Sequence, residues 1–193
     1  MKNNITSKKH IASKKHNSGF TLIEMIVTVS IVSILASIAA PSFSGMLERN
    51  KATAAANEMV SALLLARSEA LKRRNNITVC TSVDQTSCAG NGEKDFSKGW
   101  IVFVDCDKNR VRGAAVDCGN AGLEEETVIK AQLGKKGMNI NKGGAADKAH
   151  YFTYNFTGRT DIPATFEVTK ESSSTVLREV TVSLTGRVRT TGH

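Results

Sequence analysis

Residues 20–40 read FTLIEMIVTVSIVSILASIAA, an apolar run whose one charged residue is Glu24, and Pro41 follows it at once. No other stretch limits the possible folds so strongly. As an α-helix, at about 1.5 Å per residue, the run spans about 31 Å, close to the thickness of a bilayer core. Lys2, Lys8, Lys9, Lys14 and Lys15 precede it, with no acid among residues 1–19. A basic flank of this kind stays cytoplasmic, which directs the C-terminal part of the chain outward. A secretory signal peptide is the competing reading. The run is long for that, and no A-x-A-like site stands directly before a head domain.

The helical pattern instead continues past Pro41. Ala52, Ala56, Met59, Leu63, Ala66 and Ala70 recur every three or four residues and form one narrow apolar stripe. Glu69 and Arg73 stand at i, i+4 in the favourable order. Asn75-Asn76 is a stop signal. The pattern predicts one helix from about Phe20 to about Arg74, with Pro41 a place for a bend. The formal net charge is +8, but without residues 1–19 the balance is 21 basic against 18 acidic residues, or +3. The basicity belongs mostly to the leader and is poor evidence for nucleic-acid binding.

A lysine-rich leader, then Gly19-Phe20-Thr21-Leu22-Ile23-Glu24, then an apolar run ending at Pro41 resembles the prepilin motif of type IV pilins and type II secretion pseudopilins. The resemblance implies that a prepilin peptidase cuts after Gly19, that the new N-terminus at Phe20 is methylated, and that Glu24 guides docking into a growing filament. Glu24 is also unusual on physical grounds. A carboxylate within a membrane segment costs about 2.5–3.5 kcal/mol on insertion scales and usually has a partner, for which a neighbouring subunit's amino group is a candidate. The plainer alternative places Glu24 at the headgroup interface.

After Asn76 the pattern changes to short β-branched or aromatic runs. Strands are expected at Ile77–Val83, Trp100–Asp105, Thr127–Leu133, Ala149–Phe156, Ala164–Thr169 and Thr175–Leu184, separated by Gly-rich or polar breaks. The fold class is therefore α+β: a long N-terminal helix, transmembrane in its first half, packed on an antiparallel β-sheet head. The expected parts are a leader at 1–19, a membrane and filament-core helix at 20–41, an amphipathic helix at 42–74, and a β-rich head with a basic tail at 75–193. Ala66-Arg67-Ser68-Glu69-Ala70, Gly99 to Asp105 and Phe156-Thr157-Gly158-Arg159 together resemble the GspH/FimT-like minor pilins.

Cys80, Cys88, Cys106 and Cys118 are an even set without C-x-x-C spacing, and no His clusters with them. Outside the cytoplasm that pattern reads as disulfides rather than zinc. Four cysteines allow three connectivities. The short loops favour Cys80–Cys88 and Cys106–Cys118, with a cross-pairing such as Cys80–Cys118 left open.

No nucleophile–base set, G-x-S-x-G or phosphate-binding glycine loop is present, so no catalytic residue and no cofactor is expected. Asp105, Asp107 and Asn109 open like a calcium loop, but Arg110 stands where glycine is expected and Val116 where the closing Glu belongs. A turn explains them equally, and no metal is expected. Lys135, Lys136, Lys142 and Lys148 read as a solvated basic loop or, through Lys135 and Lys136, as an auxiliary phosphate contact. The C-terminus, Leu184 to His193, contains no acid. Gly186 permits a backbone bend. Arg187 and Arg189, two apart, point to one side of an extended chain about 6.6 Å apart, a spacing suited to phosphates. Gly186-Arg187-Val188-Arg189 resembles the G-R-x-R element of FimT-like pilins that bind DNA in natural transformation. A frayed tail is the bland alternative.

Two functions follow as expectations. One is a minor pilin that binds extracellular DNA through its phosphates during pilus-mediated uptake. The other is a structural minor pilin or pseudopilin that primes the filament tip for adhesion, motility or type II secretion. Either way the expected partners are the major pilin, other minor pilins, the prepilin peptidase and the inner membrane. The head is expected in the periplasm and then in an extracellular pilus.

Overall fold

The computed structural model describes residues 19–113, 116–117, 123–124, 126–143 and 150–192. The chain divides into two compact units, residues 1–43 and 44–193. The helix α1 (Leu22–Arg73) contributes to both.

In the first unit the described apolar side chains from Phe20 to Ile38 are exposed. The hydroxyls among them are satisfied by the helix itself. Ser30 donates to the Ile26 carbonyl and Ser33 to the Val29 carbonyl, each at 2.7 Å, and Thr28 donates to the Met25 carbonyl at 2.9 Å. Such back-bonding lets a hydroxyl sit in apolar surroundings. Among the described residues no single helix is long and apolar enough to cross a membrane, whereas Leu22–Ile38 and Phe43–Arg73 together qualify by length and composition. The helix start is capped reciprocally. The Glu24 N–H donates to Thr21 Oγ1 at 3.3 Å and the Thr21 N–H to Glu24 Oε2 at 3.5 Å, the arrangement of a capping box.

In the second unit the apolar stripe is the buried face of α1. Ala52, Ala56, Met59, Leu63, Ala66 and Ala70 are all buried, joined by Ala55 and Ala62. Five strands follow before residue 134: β1 (Ile77–Thr81), β2 (Gly99–Val104), β3 (Val116–Asp117), β4 (Leu123–Glu124) and β5 (Val128–Leu133). Five more complete the head: β6 (Met138–Gly143), β7 (Tyr151–Tyr154), β8 (Ala164–Lys170), β9 (Val176–Val182) and β10 (Val188–Gly192). They form two antiparallel four-stranded sheets, ordered β5-β2-β1-β7 and β10-β9-β8-β6, and a ribbon of β3 and β4. One core joins the helix stripe to both sheets, with Val79, Val102 and Tyr154 from the first and Phe166, Val168 and Val180 from the second. Phe152 meets Tyr154 and Phe166 edge-on at 5.0 and 5.9 Å between centroids, a favoured geometry. A second cluster, Cys80, Ile101 and Phe103, covers the other face of the first sheet. Burial on both faces explains the near-continuous apolar sequence of β2.

The six expected strands are present with shifted ends: β2 starts earlier, at Gly99, β8 runs on to Lys170, the others are trimmed, and the one expected to begin at Ala149 is Tyr151–Tyr154 in the described residues. Four strands were not foreseen. In β6, Lys142 was expected in a solvated loop. It is buried instead, its ammonium donating to the Tyr151 carbonyl at 3.3 Å and standing 5.8 Å from the Tyr151 ring centroid. The larger correction is the C-terminus, which is not a free tail. Val188 pairs with Val182, Arg189 with Thr181 and Thr191 with Glu179, making β10 an edge strand of the second sheet.

Candidate nucleic-acid interface

β9 and β10 are joined by Ser183-Leu184-Thr185-Gly186-Arg187. The Gly186 N–H donates to the Ser183 carbonyl at 2.8 Å and the Ser183 N–H to the Arg187 carbonyl at 3.0 Å. With Gly186 at φ +78°, this is a three-residue hairpin loop closed by a left-handed glycine. Space imposes glycine as well, because a Cβ there would stand 2.1 Å from the Gly158 carbonyl oxygen. Arg67 of α1 anchors the turn. Its guanidinium donates to the carbonyls of Gly158, at 3.1 Å, and Thr185, at 3.0 Å. Tyr154 lies under the same glycine, and burial raises its phenol pKa well above the ordinary value. The stretches 66–70, 156–159 and 184–189, separate in sequence, therefore meet here.

Arg187 and Arg189 are exposed and line one surface depression with Thr165, Thr181 and Ser183. Val188 between them is paired with the buried Val182, so the two arginines share the outer face of the sheet. That face is not free of acid, although the tail is. The pairings Thr191 with Glu179 and Glu179 with Glu167 place two carboxylates one row beyond Arg189 and Thr181. Thr191 Oγ1 donates to Glu179 at 3.4 Å. Sequence reasoning missed both, because the acids lie on other strands.

Lys135 and Lys136 do not join this depression. They occupy the turn before β6, which is the opposite edge of the same sheet from β10. Three strand spacings separate the edges, about 14 Å. They line a different depression with Ser97, Lys98 and Glu171, and the Lys135 ammonium forms an ion pair with Glu58 of α1. An auxiliary contact continuous with Arg187 and Arg189 is not what the structure presents.

The family model of the type II transport protein GspH matches residues 55–186, a stretch covering most of the helix stripe and the head. The chain belongs to this family. It is a type IV minor pilin or pseudopilin. The prokaryotic N-terminal methylation motif matches residues 14–40. Two fimbrial proteins of Pseudomonas aeruginosa are each 34% identical over 70 residues, and the match spans 36% of this chain and 46% of theirs. The type IV minor pilin FimU of Pseudomonas aeruginosa, solved in two crystal forms, superposes with TM-scores of 0.51 and 0.50 at 20% and 18% identity. These superpositions cover 74% and 72% of this chain and 89% and 91% of the FimU chains. They identify the fold as pilin-like.

In this GspH-family chain, Gly19 and Phe20 are exposed just before the helix, with open space around Gly19. Glu24 follows within the capping box. Cys80 and Cys88 form a disulfide with Cα atoms 5.6 Å apart, closing a loop in which Asp84 accepts from the Ser87 hydroxyl at 2.6 Å and from the backbone N–H groups of Ser87 and Thr86. Those bonds hold its carboxyl well below the ordinary range. Cys106 is also disulfide-bonded; Cys118 lies outside the described residues, as does Lys148.

The Asp105, Asp107 and Asn109 segment is a turn that recruits one acid sequence reasoning did not connect, Glu126. Oxygens of Asp105, Asp107 and Glu126 lie within 4.8 Å of one another. Asp105 accepts from Thr78 Oγ1 at 2.7 Å, and Glu126 accepts from the backbone N–H groups of Cys106, at 3.0 Å, and Gly113, at 2.7 Å. Burial, the largest cause for each, raises the carboxyl pKa of Asp105 and of Glu126. The two acids clamp the loop after β2.

Proposed function

We propose that this minor pilin binds extracellular DNA through its phosphates and serves DNA uptake by a type IV pilus. The single observation that supports the reading is the exposed Arg187–Arg189 pair on one face of a hydrogen-bonded strand. A guanidinium fork held by a rigid element loses little entropy on meeting a phosphate. The interface offers no recognition helix, so binding is indifferent to sequence. The neighbouring Glu167 and Glu179 weaken the local positive field, and a two-arginine contact list gives micromolar or poorer affinity at physiological salt, with a log–log salt slope of about −2. Several copies along a filament raise it by avidity.

In the same reading the prepilin peptidase removes residues 1–19 after Gly19 and Phe20 is methylated. The helix beginning there anchors the chain in the inner membrane with its head in the periplasm, and Glu24 then guides entry into the filament beside the major pilin and other minor pilins. The test uses the chain from Phe20 onward, purified from membranes in a non-ionic detergent, titrated against a fluorescent duplex at several salt concentrations. Binding by the wild type, lost in the folded Arg187→Gln, Arg189→Gln double variant, supports the reading. Equal binding by both, or none by the wild type at low salt, overturns it.

One observation favours a second reading. Lys135 is committed to Glu58, and acids share the face of Arg189. An arginine face shared with acids and flanked by no continuous lysine patch suits a purely structural role in priming a pilus or a type II secretion pseudopilus, where it touches other subunits and not DNA.

A further inference from the structure

We propose that Arg159 is a third phosphate contact of the DNA interface, presented by a turn of the same build as the one that presents Arg187. The inference rests on the DNA reading above. Asn155-Phe156-Thr157-Gly158-Arg159 and Ser183-Leu184-Thr185-Gly186-Arg187 correspond residue for residue: a short polar residue, a large apolar one, then Thr-Gly-Arg.

Their backbones correspond as well. The Gly158 N–H donates to the Asn155 carbonyl at 2.8 Å, and the Asn155 N–H to the Arg159 carbonyl at 2.9 Å, as Gly186 and Ser183 do in the other turn. Gly158 stands at φ +70° and Gly186 at φ +78°. In each turn the leading polar side chain accepts from the arginine's own N–H, Asn155 Oδ1 at 3.2 Å and Ser183 Oγ at 3.3 Å. Both arginines therefore leave a three-residue glycine loop at the same position.

The turns are also joined. The Thr160 N–H, one residue after Arg159, donates to the Leu184 carbonyl at 3.2 Å. Arg67 bonds to Gly158 in one turn and Thr185 in the other. Two exposed arginines are thereby rooted on one hydrogen-bonded joint, with Arg189 next along the strand. Among the described residues the Arg159 guanidinium has no ion pair. The acid nearest in sequence, Asp161, lines a separate depression with Arg110 and Lys142. Exposed cations presented by adjoining, hydrogen-bonded turns suit the phosphates of one DNA strand.

The experiment repeats the duplex titration with Arg159→Gln and Arg159→Lys. Arg159→Gln is expected to flatten the log–log salt slope by about one and to weaken binding equally for two unrelated duplex sequences, while Arg159→Lys keeps the slope. Thermal melting accompanies both. Wild-type slope and affinity in Arg159→Gln, with binding still lost in the Arg187, Arg189 double variant, overturns the role of Arg159 and leaves the DNA reading standing. Weakened binding with a lowered melting temperature in both Arg159 variants makes the residue structural and also overturns it. No binding by the wild type overturns both.

Discussion

The Arg67 guanidinium donates to the Thr185 carbonyl at 3.0 Å, across 118 positions of sequence. With its second bond, to Gly158, it ties the end of α1 to both glycine turns. A hydrogen bond from a charged donor contributes about 1.5–3 kcal/mol. Arg67→Met is therefore expected to lose about 3 kcal/mol, a fall of about 6–12 °C in melting temperature for a domain of this size. Calorimetry of the detergent-solubilised chain checks this. A fall under about 2 °C would show that water replaces the guanidinium without cost.

Gly186 and Gly137 separate two reasons for a glycine. Both have positive φ, +78° and +92°, but a Cβ at Gly137 meets nothing within 4 Å while one at Gly186 meets the Gly158 carbonyl. Gly137→Ala is expected to cost about 1 kcal/mol from backbone conformation alone. Gly186→Ala is expected to cost at least twice that, because two backbones must separate. Equal losses in chemical denaturation would mean that the turn contact yields easily.

Glu24 has two separable properties, its charge and its place in the capping box with Thr21. Glu24→Gln keeps a capping acceptor, whereas Glu24→Ala keeps neither. If charge guides assembly, both variants are cut after Gly19 yet recovered poorly in sheared filaments. Normal recovery of Glu24→Gln alongside loss of Glu24→Ala would assign the role to the cap. Mass spectrometry of the mature chain reads the cut, and an N-terminus other than Phe20 would remove the processing claim.

Asp105 gives a pH signature. Burial raises its carboxyl pKa, so the folded state holds the proton more tightly than the unfolded state does. The associated stability is fully present below the ordinary carboxylate value, about 4, and is lost as pH rises through the folded value. Glu126 acts in the same sense, whereas the depressed Asp84 acts in the opposite one, losing its contribution as pH falls. Comparing Asp105→Asn with wild type isolates the first. With chelator present, the melting temperature of Asp105→Asn should gain on wild type as pH rises from about 4 toward neutrality. A difference that does not change with pH would contradict the shift.

What could be read from the sequence alone is what depends on neighbours a few positions away. The apolar run 20–40, the stripe from Ala52 to Ala70 and the six β-branched runs carry their period within themselves, and the Cys80–Cys88 loop closes over eight residues. The α+β head on a long helix followed from those. The polar strands β6 and β10 did not, because Met138–Gly143 and Val188–Gly192 become strands by pairing with β8 and β9 rather than by composition. The interface belongs to the same class. Arg187 and Arg189 were visible as a pair, but their fixed backbone and the acid Glu179 beside them come from the β9–β10 pairing, while the nearness of Glu167, the pairing of Lys135 with Glu58, and the meeting of Arg67 with Gly158 and Gly186 come from contacts remote in sequence. A side chain's field and freedom are set by what the fold packs against it, and in this head partners such as Glu58 for Lys135 and Thr185 for Arg67 stand 77 and 118 positions away in the chain.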